Sequence, residues 1–137
     1  MKKILFVCVE NSCRSQMAEG FARHFGAGKI EAFSAGSKPS GRVDPEAVKA
    51  MSEAGIDISS QRSKGFFDLP EEKFDIAVTM GCKDVCPIVP AEKGLEWDIE
   101  DPKGKGPEFF RKIRDEIGRK VRELIEEKEI RDATPLR

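Results

Sequence analysis

A cysteine and an arginine lie six residues apart near the start of the chain, in the segment CVENSCRS from Cys8 to Ser15. A thiolate at Cys8 can attack an electrophilic centre, and the Arg14 guanidinium can bind two oxygens of a tetrahedral oxyanion through parallel hydrogen bonds. The backbone amides of the segment can turn inward to complete an anion cradle. The segment therefore predicts a nucleophile and an oxyanion site formed by Val9, Glu10, Asn11, Ser12, Cys13, Arg14 and Ser15.

The residues on either side of this segment indicate how it is held. Ile4 to Val7 is a continuous apolar run, typical of a buried strand in a parallel sheet, and the apolar residues from Met17 to Phe25 have helical spacing. Cys8 would then lie at the carboxyl end of a strand, next to the positive end of a helix. That field and the Arg14 guanidinium both favour a thiolate. The spacing alone also fits a buried apolar Cys8 and a surface Arg14, so the prediction depends on this strand and helix.

The rest of the chain alternates between strand and helix patterns. Asp44 and Pro45 are a typical N-cap and first helical position, and Gly55 is a typical helix stop. Strands that alternate with helices predict an α/β domain with a mostly parallel sheet. The further predicted elements are strands over Ile30–Ala35 and Phe74–Met80, a short strand around Trp97, and a final helix from Pro107 whose apolar stripe runs from Phe110 to Leu124.

The chain has 137 residues, with 24 basic and 25 acidic residues and a net charge of −1. This length fits one domain over residues 1–137 that needs neither disulfides nor a structural metal to fold. The balanced charge argues against nucleic acid and anionic lipid as partners, and the apolar run near the start is too short for a signal peptide or a membrane span. We therefore expect a soluble cytoplasmic protein, in which cysteines are more often catalytic, redox-active or metal-binding than permanently bridged.

Cys82 and Cys86 follow the predicted third strand in the segment TMGCKDVCP, on the side of the sheet where Cys8 lies. Their spacing places both on one face of a helical turn, within roughly the Cα separation that a disulfide tolerates. A redox pair explains them economically. Two other interpretations stay open. They can be inert packing residues, or they can join Cys8 and Cys13 in a four-thiolate zinc site, although the ligand spacings are not the usual ones.

The segment CVENSCRS resembles the phosphate loop of the low-molecular-weight protein tyrosine phosphatase fold, and SAGS at 34–37 and the pair Asp101-Pro102 match the same fold. TMGCKDVCP and WDIEDPKGKG make the sequence most similar to the thioredoxin-coupled arsenate reductases of that superfamily. The resemblance covers essentially the whole chain. It implies a three-layer α/β fold with a small four-stranded parallel sheet and helices on both faces, and we expect a monomer that needs no cofactor.

The resemblance also implies a mechanism of arsenate reduction. The Cys8 thiolate attacks the arsenic of bound arsenate, Arg14 and the loop amides hold the oxyanion, and Asp101 protonates the departing oxygen. Cys82 then attacks the Cys8 sulfur and releases arsenite, and Cys86 attacks Cys82 to leave a disulfide for thioredoxin. Only three residues separate Cys82 from Cys86, fewer than in the thioredoxin-coupled enzymes. Glutaredoxin and a small thiol therefore stay open as electron donors.

A phosphatase acting on phosphomonoesters is the main alternative, because phosphate and arsenate are both tetrahedral oxyanions that the loop cannot distinguish. Phosphatases of this fold place aromatic residues, usually tyrosines, after the Asp-Pro pair to hold a phosphotyrosine ring. Here Lys103 and Gly104 follow Asp101-Pro102, and the chain contains no tyrosine. These features favour the reductase. A thiol-based metal-binding or redox-sensing module is the alternative without enzyme activity.

Some members of the superfamily bind potassium near the loop, and Asn11, Glu19 and Ser34 match that site. Lys64 stands where those members have a carboxylate. We therefore expect the Lys64 ammonium to replace the cation and predict no metal.

Three other residues have weaker assignments. Asp98 is an alternative acid to Asp101, which is favoured by the proline that follows it. Cys13 lies inside the loop and fits a structural role better than a catalytic one. His24, the only histidine, is predicted to lie in the first helix away from the loop, as a surface or packing residue.

Overall fold

The computed structural model describes residues 1–69, 73–81 and 91–126. Cys82 and Cys86 lie outside these ranges. The described strands form one parallel sheet. In chain order the elements are β1 (Lys2–Cys8), α1 (Arg14–Phe25), β2 (Ile30–Gly36), α2 (Pro45–Glu53), the 3-10 helix Phe66–Asp68, β3 (Phe74–Met80), β4 (Ala91–Trp97) and α3 (Pro107–Glu126). The strand order across the sheet is β2-β1-β3-β4.

β1 lies inside the sheet, between β2 and β3, and its apolar residues are buried on both faces. One face packs with α1, α2 and α3 in a single hydrophobic core. The other face, which carries Leu5 and Val7, packs with Phe66 of the 3-10 helix. A strand covered on both sides is what a continuous apolar run predicts. The three-layer α/β fold with a small four-stranded parallel sheet is therefore confirmed; among the described residues the three α-helices pack on one face, and the 3-10 helix lies on the other.

Two elements are longer than their patterns predict. β4 begins at Ala91, whereas the sequence predicts only a short strand around Trp97. It lies at the edge of the sheet and alternates between half-buried and exposed residues, so it has no apolar run to detect. α1 begins at Arg14, before the apolar face that starts at Met17, because its first turn buries polar side chains instead.

The other helices agree with the sequence. The Asp44 side chain caps α2 by accepting a hydrogen bond from the Glu46 amide at 2.9 Å, and Pro45 is the first helical residue. Gly55 follows the end of the helix with a φ of +84°, which favours glycine. No helix in the described ranges is both long and apolar enough to cross a membrane. The buried stripe of α3 contains the predicted Phe110, Ile113, Ile117, Val121 and Leu124.

Candidate active site

The predicted oxyanion loop connects the end of β1 to the start of α1. Cys8 is the last residue of β1 and is 2% exposed, and Arg14 is the first residue of α1 and is 7% exposed. The loop between them passes directly over Gly36, which pairs in register with Cys8. A Cβ atom at Gly36 would lie only 2.5 Å from the Val9 carbonyl oxygen. The close approach of the loop to β2 therefore requires glycine at this position.

The loop carbonyls all accept hydrogen bonds from the segments that surround the loop or from the first turn of α1. Because the described peptide bonds are trans, each N–H points away from the preceding carbonyl. The amides of residues 10–14 therefore face the space between Cys8 and Arg14, as the anion cradle requires. Four backbone amides donate to these carbonyls: Lys38 to Val9 at 2.8 Å, Ser40 to Glu10 at 3.0 Å, Asp44 to Ser12 at 3.0 Å and Met17 to Cys13 at 2.9 Å. The Gln16 side chain donates to the Asn11 carbonyl at 3.1 Å.

A chain of side-chain hydrogen bonds reaches the Cys8 sulfur. The Asn11 side-chain amide donates to the Ser15 hydroxyl oxygen at 2.7 Å, and that oxygen lies 2.9 Å from the Cys8 sulfur. The Asn11 side-chain oxygen Oδ1 accepts from the Gln16 side chain and from the Lys64 backbone amide, both at 2.8 Å, so the orientation of the Asn11 side-chain amide is fixed. Because the Ser15 oxygen already accepts a hydrogen bond, its hydroxyl hydrogen is available to donate to a thiolate at Cys8.

The Arg14 guanidinium is held from behind and keeps N–H donors for a ligand. One terminal nitrogen donates to the Ile99 carbonyl at 2.9 Å, and the other lies 3.8 Å from the Asp101 carboxylate. Nε is buried and has no hydrogen-bond partner among the described residues. A buried donor of this kind costs free energy until an acceptor binds it, which favours an oxyanion at this place.

These groups surround a cavity of about 230 Å³. Asp101 lies on its wall, as predicted for the proton donor, whereas Asp98 is exposed and is not among the lining residues. One oxygen of Asp101 accepts a hydrogen bond from the Lys103 amide at 3.1 Å. The cavity is lined by Cys8, Val9, Glu10, Ser12, Cys13, Arg14, Asp101 and Lys103.

Cys13 differs from Cys8 in its surroundings. Burial raises the pKa of the Cys13 thiol to about 12, and the nearby Asp44 and Asp101 carboxylates add to that effect. The thiol donates to the Asp44 carboxylate, with the sulfur 3.5 Å from the oxygen. Cys13 is therefore protonated at neutral pH, which agrees with the structural role expected of it and leaves Cys8 as the nucleophile of the loop.

The residues of the predicted potassium site form a charged cluster. The Lys64 ammonium donates to the Ser34 hydroxyl at 3.2 Å and lies 3.5 Å from the Glu19 carboxylate, which is 1% exposed and also pairs with Arg23. The Lys64 ammonium thus lies among oxygens that bind potassium in the members of the superfamily with this site, as the resemblance implies. That Lys64 takes the place of a metal ion stays a prediction. His24 is exposed, contacts the Phe25 ring edge-on, and does not line the cavity.

Two parts of the site have no counterpart in the sequence reasoning. Gly81, directly after β3, leaves room for Arg14, since a Cβ atom there would lie 2.2 Å from a guanidinium nitrogen. A glycine that follows a strand at the ligand-binding edge of a parallel sheet was the available signal. Gln61 donates to the Gln16 side-chain oxygen at 2.7 Å and so supports the Asn11 network. No motif or spacing points to Gln61, because its role depends on a contact between distant segments.

A sequence model of the low molecular weight phosphotyrosine protein phosphatase family matches residues 3–134. The chain therefore belongs to this family. The parallel sheet and the Cys8–Arg14 loop at its edge are the structural features that place it there.

Similar members of the family are named arsenate reductases, which confirms the predicted resemblance. A Synechocystis protein named glutaredoxin arsenate reductase is 44% identical over 128 residues. The match covers 91% of this chain and 97% of the Synechocystis protein. A solved arsenate reductase in the phosphate binding state has 43% identity and a TM-score of 0.82, covering 91% of this chain and 97% of that one. A thioredoxin-dependent arsenate reductase of Corynebacterium glutamicum has 33% identity and a TM-score of 0.79, covering 98% of this chain and 64% of that one.

The position of Gly81 gives a test of the Arg14 geometry. We expect Gly81→Ala to weaken binding of inorganic phosphate at least about tenfold, because the methyl group displaces a guanidinium that makes charged hydrogen bonds to the anion. Titration calorimetry on the reduced protein measures this affinity. Gly28→Ala is the matched control, since Gly28 has a similar φ of +83° but open space around it. Equal phosphate affinities in the two variants would contradict the assigned role of Gly81.

The protonation state of Cys13 gives a second test. At pH 8 about one thiol in ten thousand is ionised if the pKa is about 12, so iodoacetamide should alkylate Cys13 at least about a hundredfold more slowly than free cysteine. The rate should rise about tenfold per pH unit up to pH 10. Peptide mapping by mass spectrometry measures it.

Asp44→Asn is the control for Cys13, because asparagine also caps a helix but removes a carboxylate that adds to the rise in pKa caused by burial. This variant should react faster. A wild-type Cys13 that reacts as fast as free cysteine at pH 8 would show that its thiol is not held protonated.

Proposed function

We propose that this chain is an arsenate reductase. One observation carries the proposal: the Cys8 sulfur lies beside the Ser15 hydroxyl on the wall of the cavity that Arg14 and the inward-facing loop amides surround. A cavity of this kind holds a tetrahedral oxyanion against a sulfur nucleophile. The names of the relatives support arsenate as that oxyanion.

The first step joins sulfur to arsenic. The Cys8 thiolate attacks arsenic(V), the sulfur–arsenic bond forms, and an arsenate oxygen leaves as water after taking a proton from Asp101. The Arg14 guanidinium and the loop amides neutralise the negative charge on the remaining oxygens. Asp101 suits the role of acid because it lines the cavity and its second oxygen is held by the Lys103 amide.

The second step reduces arsenic with a thiol. In the proposed relay, Cys82 attacks the Cys8 sulfur, the sulfur–arsenic bond breaks, and its electron pair stays on arsenic, which leaves as arsenite. A Cys8–Cys82 disulfide remains, and attack of Cys86 on Cys82 frees Cys8. Cys82 follows Gly81 directly in the sequence, and Gly81 lies against Arg14, which supports Cys82 as the thiol that reaches Cys8.

The electron donor is a dithiol protein in this proposal. One relative is named for glutaredoxin and one structural neighbour for thioredoxin. We propose thioredoxin as the donor that reduces the Cys82–Cys86 disulfide, because the relay delivers a disulfide between two protein thiols to it. The reaction takes place in the cytoplasm, where thiol donors of this kind are kept reduced.

The function is tested by arsenate turnover with thioredoxin, thioredoxin reductase and NADPH, beside parallel reactions with glutaredoxin and glutathione. We expect arsenite from the wild type and none from Cys8→Ser, because a hydroxyl at this position does not ionise near neutral pH. Arg14→Lys should lower kcat/KM at least about a hundredfold, since an ammonium cannot make the planar two-point contact. Hydrolysis of p-nitrophenyl phosphate without any arsenite from the wild type would favour the phosphatase instead.

The relay is tested by separating reduction from hydrolysis. We expect Cys82→Ser to stop arsenate turnover while any hydrolysis of p-nitrophenyl phosphate continues, because hydrolysis requires only Cys8, Arg14 and Asp101. Cys86→Ser should accumulate a Cys8–Cys82 disulfide and stall after one turnover with thioredoxin. Peptide mapping after an acid quench identifies the disulfide. Normal turnover by either variant would remove that cysteine from the relay.

A further inference from the structure

An ion pair lies at the exposed rim of the cavity. Glu10 and Lys103 both line it, and the Lys103 ammonium lies 2.5 Å from a Glu10 carboxylate oxygen. The two side chains are 43% and 49% exposed, whereas Cys8 is 2% exposed. The pair therefore lies at the surface, above a buried wall that carries the nucleophile.

The backbone of both residues of the ion pair is held by hydrogen bonds. The Glu10 carbonyl accepts hydrogen bonds from the Ser40 amide at 3.0 Å and from the Ser63 hydroxyl at 3.1 Å. The Lys103 amide donates to the Asp101 carboxylate at 3.1 Å. The ion pair thus ties the loop that carries the acid to the loop that holds the oxyanion. The contact with Glu10 also raises the pKa of Lys103, so the ammonium stays charged at neutral pH.

We propose that the Glu10–Lys103 ion pair determines the substrate class, by favouring free tetrahedral oxyanions over oxyanions that carry an organic substituent. This inference rests on the proposed function, because it assumes that the anion binds between Cys8 and Arg14. A free oxyanion fits beneath the pair and leaves it intact. The substituent of an ester or phosphonate has to pass out through the mouth, which separates the two charges or places an apolar ring against them.

The expected size of the selection follows from the exposure of the pair. Exposed ion pairs contribute little, because water screens them and their side chains lose freedom when they pair. Breaking this one corresponds to a change in equilibrium constant of at most about fivefold. The pair therefore selects between ligands by a modest factor and still opens readily enough for substrates and products to pass.

The test compares two ligands on the full reduced chain by titration calorimetry: phenylphosphonate, which carries a ring, and inorganic phosphate, which does not. The measured quantity is the affinity for phenylphosphonate divided by the affinity for phosphate. Glu10→Gln keeps the side-chain length, Lys103→Met shortens it by one atom, and each breaks the pair. We expect each variant to raise the ratio by up to about fivefold. The double variant should match the single ones, because either change opens the same mouth.

Lys105→Met is the matched control. Lys105 forms an ion pair of the same length with Glu100, 2.5 Å, with similar exposure, but neither residue lines the cavity. The affinity ratio of Lys105→Met should equal that of the wild type. An increase in this ratio as large as in Lys103→Met would overturn the proposal.

An unchanged ratio in Glu10→Gln and Lys103→Met would also overturn it. In that case the two charges change only the electrostatic potential in the cavity, and the affinities for phenylphosphonate and for phosphate change by the same factor. The readout needs no arsenate reduction, so a chain that fails the arsenate assay but shows the increased ratio loses the proposed function and keeps the selection at the mouth. A chain that reduces arsenate, but whose affinity ratio does not change in the variants, keeps the proposed function and loses the selection at the mouth.

Discussion

A buried guanidinium is the constraint on which the site depends. Arg14 begins α1 with only 7% of its surface exposed, and a charge in that position is stable only when its hydrogens are satisfied. The fold supplies the Ile99 carbonyl behind it and the Asp101 carboxylate beside it, and Gly81 leaves the space that it occupies. The guanidinium donors that remain, Nε among them, and the loop amides all require the same kind of partner, which is a small multivalent anion.

The loop and its surroundings form one continuous network around that anion site. Backbone amides from the segment after β2 bind the Val9, Glu10 and Ser12 carbonyls of the loop. Gln16 and Lys64 fix the Asn11 side chain, which in turn positions the Ser15 hydroxyl beside the Cys8 sulfur. These bonds leave the amides between Cys8 and Arg14 directed at the ligand before it binds. Preorganisation of this kind is what lets dipoles stabilise charge without a cost of reorientation during the reaction.

Sequence reasoning reached the parts of this structure that depend on local pattern. The apolar run of β1, the Asp44-Pro45 start of α2 and the stripe of α3 are each encoded within a few residues, and the Cys8 to Arg14 spacing encodes the loop. The edge strand β4 was underestimated because its alternating charged residues carry no apolar signal. Gln61 and the Glu10–Lys103 pair could not be assigned, since both act through contacts between segments far apart in sequence.

In the proposed mechanism the adduct on the Cys8 sulfur can be resolved in two ways, and these distinguish a phosphatase from an arsenate reductase. Water resolves it by hydrolysis, and a second thiol resolves it by taking the place of arsenic on Cys8. The most direct measurement is a single turnover without an external reductant, in which fully reduced chain is mixed with arsenate, quenched in acid and assayed for arsenite and free thiols. About one arsenite per chain with the loss of two thiols is expected, because reduction of arsenic(V) takes two electrons, which two thiols supply when they form a disulfide. Phosphate-like binding with no arsenite and an unchanged thiol content would contradict the assignment.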